Sequence, residues 1–249
     1  MTYGAELLSR LSLSPASHLN RGFRMKRERS SLSIGDTIRE LAETVFFILL
    51  VFLIFRGLIQ NFRIDGQSME PNFHNHQYIW VNKVVYFHFD TNAPLRLLPG
   101  RHNLPPSVVY PYQTPHRGDV VVLQPPGNDY VDGTEDYIKR VIGLPGETIQ
   151  IKGGLVYING RPLKENVRDG GYLTEPTDCY GGRLCQPYLI PAGHVVVLGD
   201  HRSNSQDSRV WPGDPALPLD RIVGKAWITY WPQTEWGVIT TPTYAETSK

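Results

Sequence analysis

The chain has 249 residues, 41% of them hydrophobic and 20% charged, with 25 Lys and Arg set against 24 Asp and Glu for a formal net charge of +1. That size suits one folded domain with additions, or two small domains. The near-neutral balance gives no overall field pointing to nucleic acid, and two cysteines are too few for a Cys-rich zinc site.

Residues 1–35 are rich in Ser, Arg and Leu without a sustained period. Leu7, Leu8 and Leu11 suit one amphipathic turn, and the alternative is a mobile cytosolic tail over residues 1–37. Asp36 or Thr37 is placed to cap a helix beginning at Ile38. From Val45 to Phe55 every residue is apolar, so the helix has no polar face. Residues 38–60 reach the roughly 20 residues that cross a bilayer. Arg56 near the end can snorkel to the headgroups. A buried helix of a soluble core leaves the missing polar face unexplained. A cleaved signal peptide does not suit a run this far from Met1, with no small-residue cleavage site after it. Arg21, Arg24, Lys26, Arg27 and Arg29 precede the run, which predicts an inside N-terminus and an outside location for everything after about Gln60.

Beyond the run the pattern changes to short strands with Gly and Pro punctuation. Phe62 and Ile64, then Tyr78–Tyr86, Val120–Leu123, Tyr137–Gly143, Thr148–Lys152, Leu155–Ile158, Val195–Leu198 and Ile222–Tyr230 read as strands. Gly153-Gly154 and Asn159-Gly160 read as hairpin turns. Residues 91–116, with six prolines, and residues 161–190 read as loop-rich insertions, and the tail from Thr240 as a frayed end. The fold class is therefore mainly β: a single transmembrane helix followed by a β-rich outer domain over residues 61–239.

Ser68 follows Gly66 by two residues, precedes Pro71 by three and adjoins apolar Met69; an ordinary turn serine has the same setting. Lys139 sits inside an apolar strand, where an exposed lysine on a half-solvated strand is the plain alternative. Gly199–Arg209 is dense in polar side chains directly after a strand, suited either to a solvated loop or to fixing a site. Cys179 and Cys185 suit a local disulfide in an oxidising compartment, or two buried thiols otherwise. Trp231 and Trp236 suit either the membrane interface or the core.

Four segments in order resemble bacterial-type signal peptidase I, the membrane-bound Ser/Lys endopeptidase that removes secretory leader peptides. Gly66-Gln67-Ser68-Met69-Glu70-Pro71 resembles its nucleophile box and Arg117-Gly118-Asp119-Val120-Val121 the next strand box. Tyr137 to Gly146 resembles the general-base box and Gly199 to Arg209 the final box. The resemblance runs from about residue 38 to about residue 231 and is weak across both insertions. It implies Ser68 as nucleophile, Lys139 as general base and Ser205 as the hydroxyl orienting the lysine. It further implies Asp207 and Arg209 as a bracing ion pair with Arg140 nearby, and Met69, Phe73, Tyr137 and Ile138 as lining shallow substrate pockets. Cleavage then follows small residues, as in Ala-X-Ala, without cofactor or metal. The implied partners are the signal peptides of secretory preproteins, membrane lipids and transiently the secretion machinery, with no nucleic acid.

Two departures stand out. His201 replaces the usual Asn of the final box, with a packing consequence expected. Gly66 stands where some members carry a serine that helps the oxyanion hole, leaving the Ser68 backbone N–H as one donor. Physically, a lysine works as a base only when neutral, and burial favours that form. A non-catalytic membrane-anchored binding module remains the alternative from another class. A Ser/Lys self-cleaving regulator would need a DNA-binding module where the anchor stands. The organelle inner-membrane peptidases are the nearest branch of the same class, so the cell membrane, a thylakoid and an organelle inner membrane all suit the chain.

Overall fold

Apolar residues on every face make one long helix, α1 (Ile34–Leu58), in a computed structural model that describes residues 34–105, 107–126, 135–165, 172–173, 175–242 and 244. Most of the expected tail 1–37, with its basic cluster, lies outside the described residues. Thr37–Leu58 is long and apolar enough to cross a membrane, and none of it is buried in the protein. Fourteen large hydrophobic side chains from Ile38 to Leu58 would otherwise face water, which a bilayer relieves. The helix begins at Ile34, so Asp36 and Thr37 lie inside it and do not cap it. It ends at Leu58, two residues short of the expected boundary. There the Lys83 N–H donates to Leu58 O at 3.0 Å and Ile59 pairs with Asn82, so sheet pairing takes over the chain.

The chain divides into two units, Met1–Phe47 and Ile48–Lys249, and all strands belong to the second. β1 (Ile59–Arg63) pairs antiparallel with β2 (Tyr78–Asn82). Among the described residues that follow, a two-residue ladder, β3 (Phe89–Asp90) with β4 (Val108–Val109), and a 3-10 turn, Pro94–Leu97, bracket and occupy the first insertion. β5 (Val120–Leu123) is buried along its whole length and pairs with β6 (Tyr137–Gly143). β7 (Thr148–Lys152), β8 (Leu155–Ile158) and β9 (Arg161–Pro162) form a meander through the two predicted turns. Asn159 and Gly160 both have positive φ, 51° and 78°, as a primed hairpin turn requires. The second insertion supplies β10 (Tyr188–Leu189), which pairs with β7 and completes a four-stranded sheet. β11 (His194–Leu198), β12 (Leu217–Pro218), β13 (Ile222–Trp231) and β14 (Gly237–Val238) complete an eight-stranded sheet. Its order is β1-β2-β13-β5-β6-β11-β12, with β14 beside β13.

Period-two alternation splits β5 between two cores. Val120 and Val122 pack with Met69, Phe73, Ile79 and Val81, whereas Val121 and Leu123 pack with Val141, Val197 and Leu217. A third cluster joins the small sheet to Ile142 and Leu198. The described end of the tail is not frayed. Thr241 Oγ1 donates to Asp119 Oδ1 at 2.9 Å and Tyr244 OH to Tyr172 OH at 3.2 Å. The remaining tail residues lie outside the described residues. Trp227, Trp231 and Trp236 are exposed on the large sheet and its last turn, so Trp231 and Trp236 are not core residues.

β13 approaches β2 closely at Gly224. A Cβ there would lie 2.6 Å from Asn82 O and 2.8 Å from Val81 Cγ1. Gly224→Ala therefore forces the strands apart and lowers stability by about 1–3 kcal/mol, as overpacking does. Urea unfolding of the full chain in detergent checks this, and a wild-type midpoint would show that the strands spread without cost.

Candidate active site

The chain turns back between β1 and β2 through residues 64–77. Ile64 N–H donates to Gln77 O at 2.8 Å and His76 N–H to Ile64 O at 2.7 Å, closing the turn. Gly66 enters it at φ +112°, and its N–H donates to Asn75 Oδ1 at 3.0 Å. Met69 and Phe73 anchor the turn from beneath. Ser68 is left half-buried at its surface. Lys139, opposite Val121 in the ladder and only 3% exposed, brings its Nζ to 2.8 Å from Ser68 Oγ.

Burial drives the Lys139 amine down to about 8, against an upward pull from the Asp207 and Asp200 carboxylates and with help from the Arg209 charge. Those carboxylates are themselves paired. Arg209 donates to Asp207 at 2.9 and 2.8 Å, and Arg140 to Asp200 at 2.8 and 2.5 Å. Burial opposes the Asp207 charge, but the Arg209 hydrogen bonds hold its carboxyl below the usual range. Arg140, placed near that pair by the sequence, braces Asp200. Asp200 Oδ2 also accepts from Asn72 Nδ2 at 3.0 Å, tying the final box to the Ser68 turn.

The expected orienting hydrogen bond from Ser205 to Lys139 is not formed. The amine turns instead to Ile138 O, at 2.8 Å, with Tyr137's ring centroid 5.1 Å away. Ser205 Oγ is buried without a well-formed hydrogen bond, close enough to Asp207 only to help hold that carboxyl down. Gly199 explains the crowding: a Cβ there would lie 2.5 Å from Ser68 O and 2.6 Å from Ser205 Cβ. His201 has the expected packing consequence, donating its N–H to Ser68 O at 3.0 Å and placing Nδ1 3.1 Å from Gln67 O. Among the described residues no acceptor takes the Ser68 N–H, which leaves it free to meet an oxyanion.

A cavity of about 680 Å³ opens on Ser68 and Lys139. Tyr137 and Ile138 line it as expected, together with Phe62, Ile64, Ile79 and Val122. Met69 and Phe73 do not line it. They are 1% and 5% exposed and belong to the core below, because the turn uses them as its anchor. Residues that sequence reasoning missed reinforce the site from behind. Glu165 receives Arg202 at 2.7 and 3.2 Å and Tyr172 OH at 2.5 Å, and Arg202 Nε donates to Gly199 O at 3.0 Å. Asp200 was visible in the final box, but Glu165 and Tyr172 fall in an insertion without a motif. Among the described residues no group of three or more His, Cys, Asp or Glu side chains is arranged to hold a metal ion.

The family model described as signal peptidase, peptidase S26, matches residues 38–231. The chain belongs to this family. A signal peptidase I of Leptolyngbya laminosa is 40% identical over 138 residues, covering 54% of this chain and 62% of its own length. A signal peptidase I of Pseudomonas aeruginosa is 32% identical over 225 residues, covering 78% of this chain and 73% of its own. The match thus spans less than two thirds of the cyanobacterial relative and more of the pseudomonad one. A crystal structure of a signal peptidase I from Enterococcus faecalis V583 is 29% identical, covering 45% of this chain and 97% of that one, with a TM-score of 0.35, too low to compare the folds.

In this signal peptidase family member, Gly199→Ala should push the Ser68 carbonyl and Ser205 away from their present places. Its kcat/KM on a leader-type peptide should fall at least about tenfold, or 1.4 kcal/mol, with the circular dichroism spectrum unchanged. Wild-type turnover would show that the close approach at Gly199 is not needed.

Proposed function

We propose that this protein is a membrane-anchored serine endopeptidase that cleaves N-terminal leader peptides from secreted proteins after small residues, using Ser68 and Lys139. The observation that carries the reading is the 2.8 Å approach of a buried amine, its pKa brought down to about 8, to the Ser68 hydroxyl. As an ammonium, Lys139 donates to Ser68 Oγ. Once neutral it offers a lone pair, and the Ser68 O–H donates to Nζ. Ser68 Oγ then attacks the scissile carbonyl as its proton passes to the amine. The free Ser68 N–H meets the oxyanion, and the lysine returns the proton to the leaving amine. The acyl-enzyme is hydrolysed by water that the same amine activates. The apolar wall of Phe62, Ile64, Ile79, Val122 and Ile138 suits small side chains before the cut.

The working form of the base is the neutral one. Activity should be low in acid and rise as pH passes through about 8. Ser68→Ala, Lys139→Ala and the double variant should each lose most of the rate, with the double hardly worse than either single, because the two residues act as a unit. Lys139→Arg should be inactive, since a guanidinium does not deprotonate in this range. A kinetic series on one leader peptide across pH, with each variant checked for folding, tests the dyad. Near wild-type turnover in Lys139→Arg would return the lysine to a structural role.

The proposed topology is an inside N-terminus with the second unit outside, supported by the apolar Thr37–Leu58 helix and the basic residues before it. The exposed Trp231 and Trp236 suit contact with membrane lipids. A reporter fused after Lys249 should be active only outside the membrane. A cytoplasmic reporter would reverse the assignment.

A further inference from the structure

The segment closed by Cys179 and Cys185 matches none of the four boxes, yet it reaches the active-site cavity. The two cysteines are joined, with their Cα atoms 5.3 Å apart, and Tyr180 between them lines the cavity near Ser203, Asn204 and Val210. Tyr180 adopts φ +52°, a left-handed conformation that a bulky residue keeps only when its surroundings over-determine it. The surroundings do so. The Tyr180 N–H donates to Asp178 Oδ1 at 2.8 Å, its hydroxyl donates to Arg202 O at 3.1 Å, and its ring centroid lies 5.1 Å from the Arg209 guanidinium. Gly182 closes the turn against Arg209, where a Cβ would lie 2.6 Å from Arg209 O. Arg209 also donates to Asp178 O at 3.2 Å while its other nitrogens hold Asp207. One arginine therefore clamps both the disulfide loop and the catalytic loop. The tyrosine itself stays 49% exposed.

Besides the charged Arg63, Asp65, Glu135 and Asp136, the cavity wall has an apolar part and a loop-built part. Its apolar part comes from β1, β2, β5 and β6 and suits the small side chains before the cut. Its loop-built part, with Tyr180 and Val210 among the polar Ser203, Asn204 and Gln206, remains for the chain that follows the cut. Arg209 is neutralised by Asp207, so the Tyr180 ring presents an apolar surface there without a net charge behind it. A ring already fixed in place takes up an apolar side chain with little further loss of freedom.

We infer that Tyr180, presented by the disulfide-closed loop, is a specificity-determining residue that receives the first side chain after the scissile bond and favours an aliphatic one. The inference rests on the peptidase reading above. Its test uses the full chain in detergent and leader peptides in two pairs: Ala against Leu just before the cut, and Leu against Gly just after it. Wild type should favour Ala before the cut by at least about tenfold and Leu after it by about fivefold or more in kcat/KM. Tyr180→Ala should bring the second ratio to within about twofold of one and leave the first ratio in place. Tyr180→Phe keeps the ring and should keep both ratios. Replacing both Cys179 and Cys185 with Ser should lower the second ratio in the same direction as Tyr180→Ala. An unchanged second ratio in Tyr180→Ala, a wild type indifferent to Leu and Gly after the cut, or a fall of both ratios together would overturn the assignment. An unchanged second ratio in the double-serine protein would overturn the part given to the disulfide. A wild type that cleaves none of the peptides would overturn the peptidase reading instead.

Discussion

The Lys139 amine is buried in the company of two carboxylates, and the architecture around Ser68 answers that constraint. Burial alone favours neutral Lys139, but Asp207 and Asp200 both pull it toward the ammonium. Arg209 and Arg140 bind those carboxylates with paired hydrogen bonds, so the amine feels two neutral pairs in place of two bare anions. Four buried charged side chains are costly to desolvate and contribute little net stability. Their use here is to fix geometry: Asp207 accepts the Gly199 N–H at 2.9 Å, and Asp200 reaches Asn72 in the nucleophile turn. The electrostatic solution and the positioning of Ser68 are therefore the same set of contacts.

Much of this was legible in the chain because it rests on local pattern. The apolar run that makes α1, the all-apolar β5 and the two glycine-bearing turns of the small sheet each declare themselves within a few residues. Ser68 and Lys139 were legible through the order of the four boxes. The failures share a cause. Met69 and Phe73 sit next to the nucleophile in sequence, but a residue that anchors a turn faces the core while its neighbour faces the cavity, and only the fold separates the two. Lys139's choice of Ile138 O over Ser205 is decided by side-chain direction at angstrom scale. Tyr180 and Glu165 lie in an insertion whose sequence carries no periodicity, and they matter only because β10 and the disulfide fold that insertion back onto the catalytic loop.

His201 shows how a departure from a family pattern can be absorbed. Its backbone N–H meets Ser68 O, as any residue's would, and its ring adds a second hook to Gln67 O that a smaller side chain would not reproduce in the same way. The Glu165–Arg202 pair plays a complementary part from the opposite direction, holding Gly199 O through Arg202 Nε. The Gly199–Arg209 loop is thus gripped by the Ser68 turn on one side and by the second insertion on the other.

The strand order of the large sheet carries a consequence for the order of events during synthesis. β13 lies between β2 and β5, so these two cannot be bridged until residues 222–231 arrive. Ile79 on β2 and Val122 on β5 both face the cavity, which means its wall is assembled across a gap that a late segment fills. The β7-β8-β9 meander, built from neighbouring hairpins, has no such dependence and can form early, whereas the long-range pairing is slow. A chain interrupted before β13 would carry Ser68 and Lys139 and still lack the strand that joins the two sides of the cavity wall, so the cavity waits on residues 222–231.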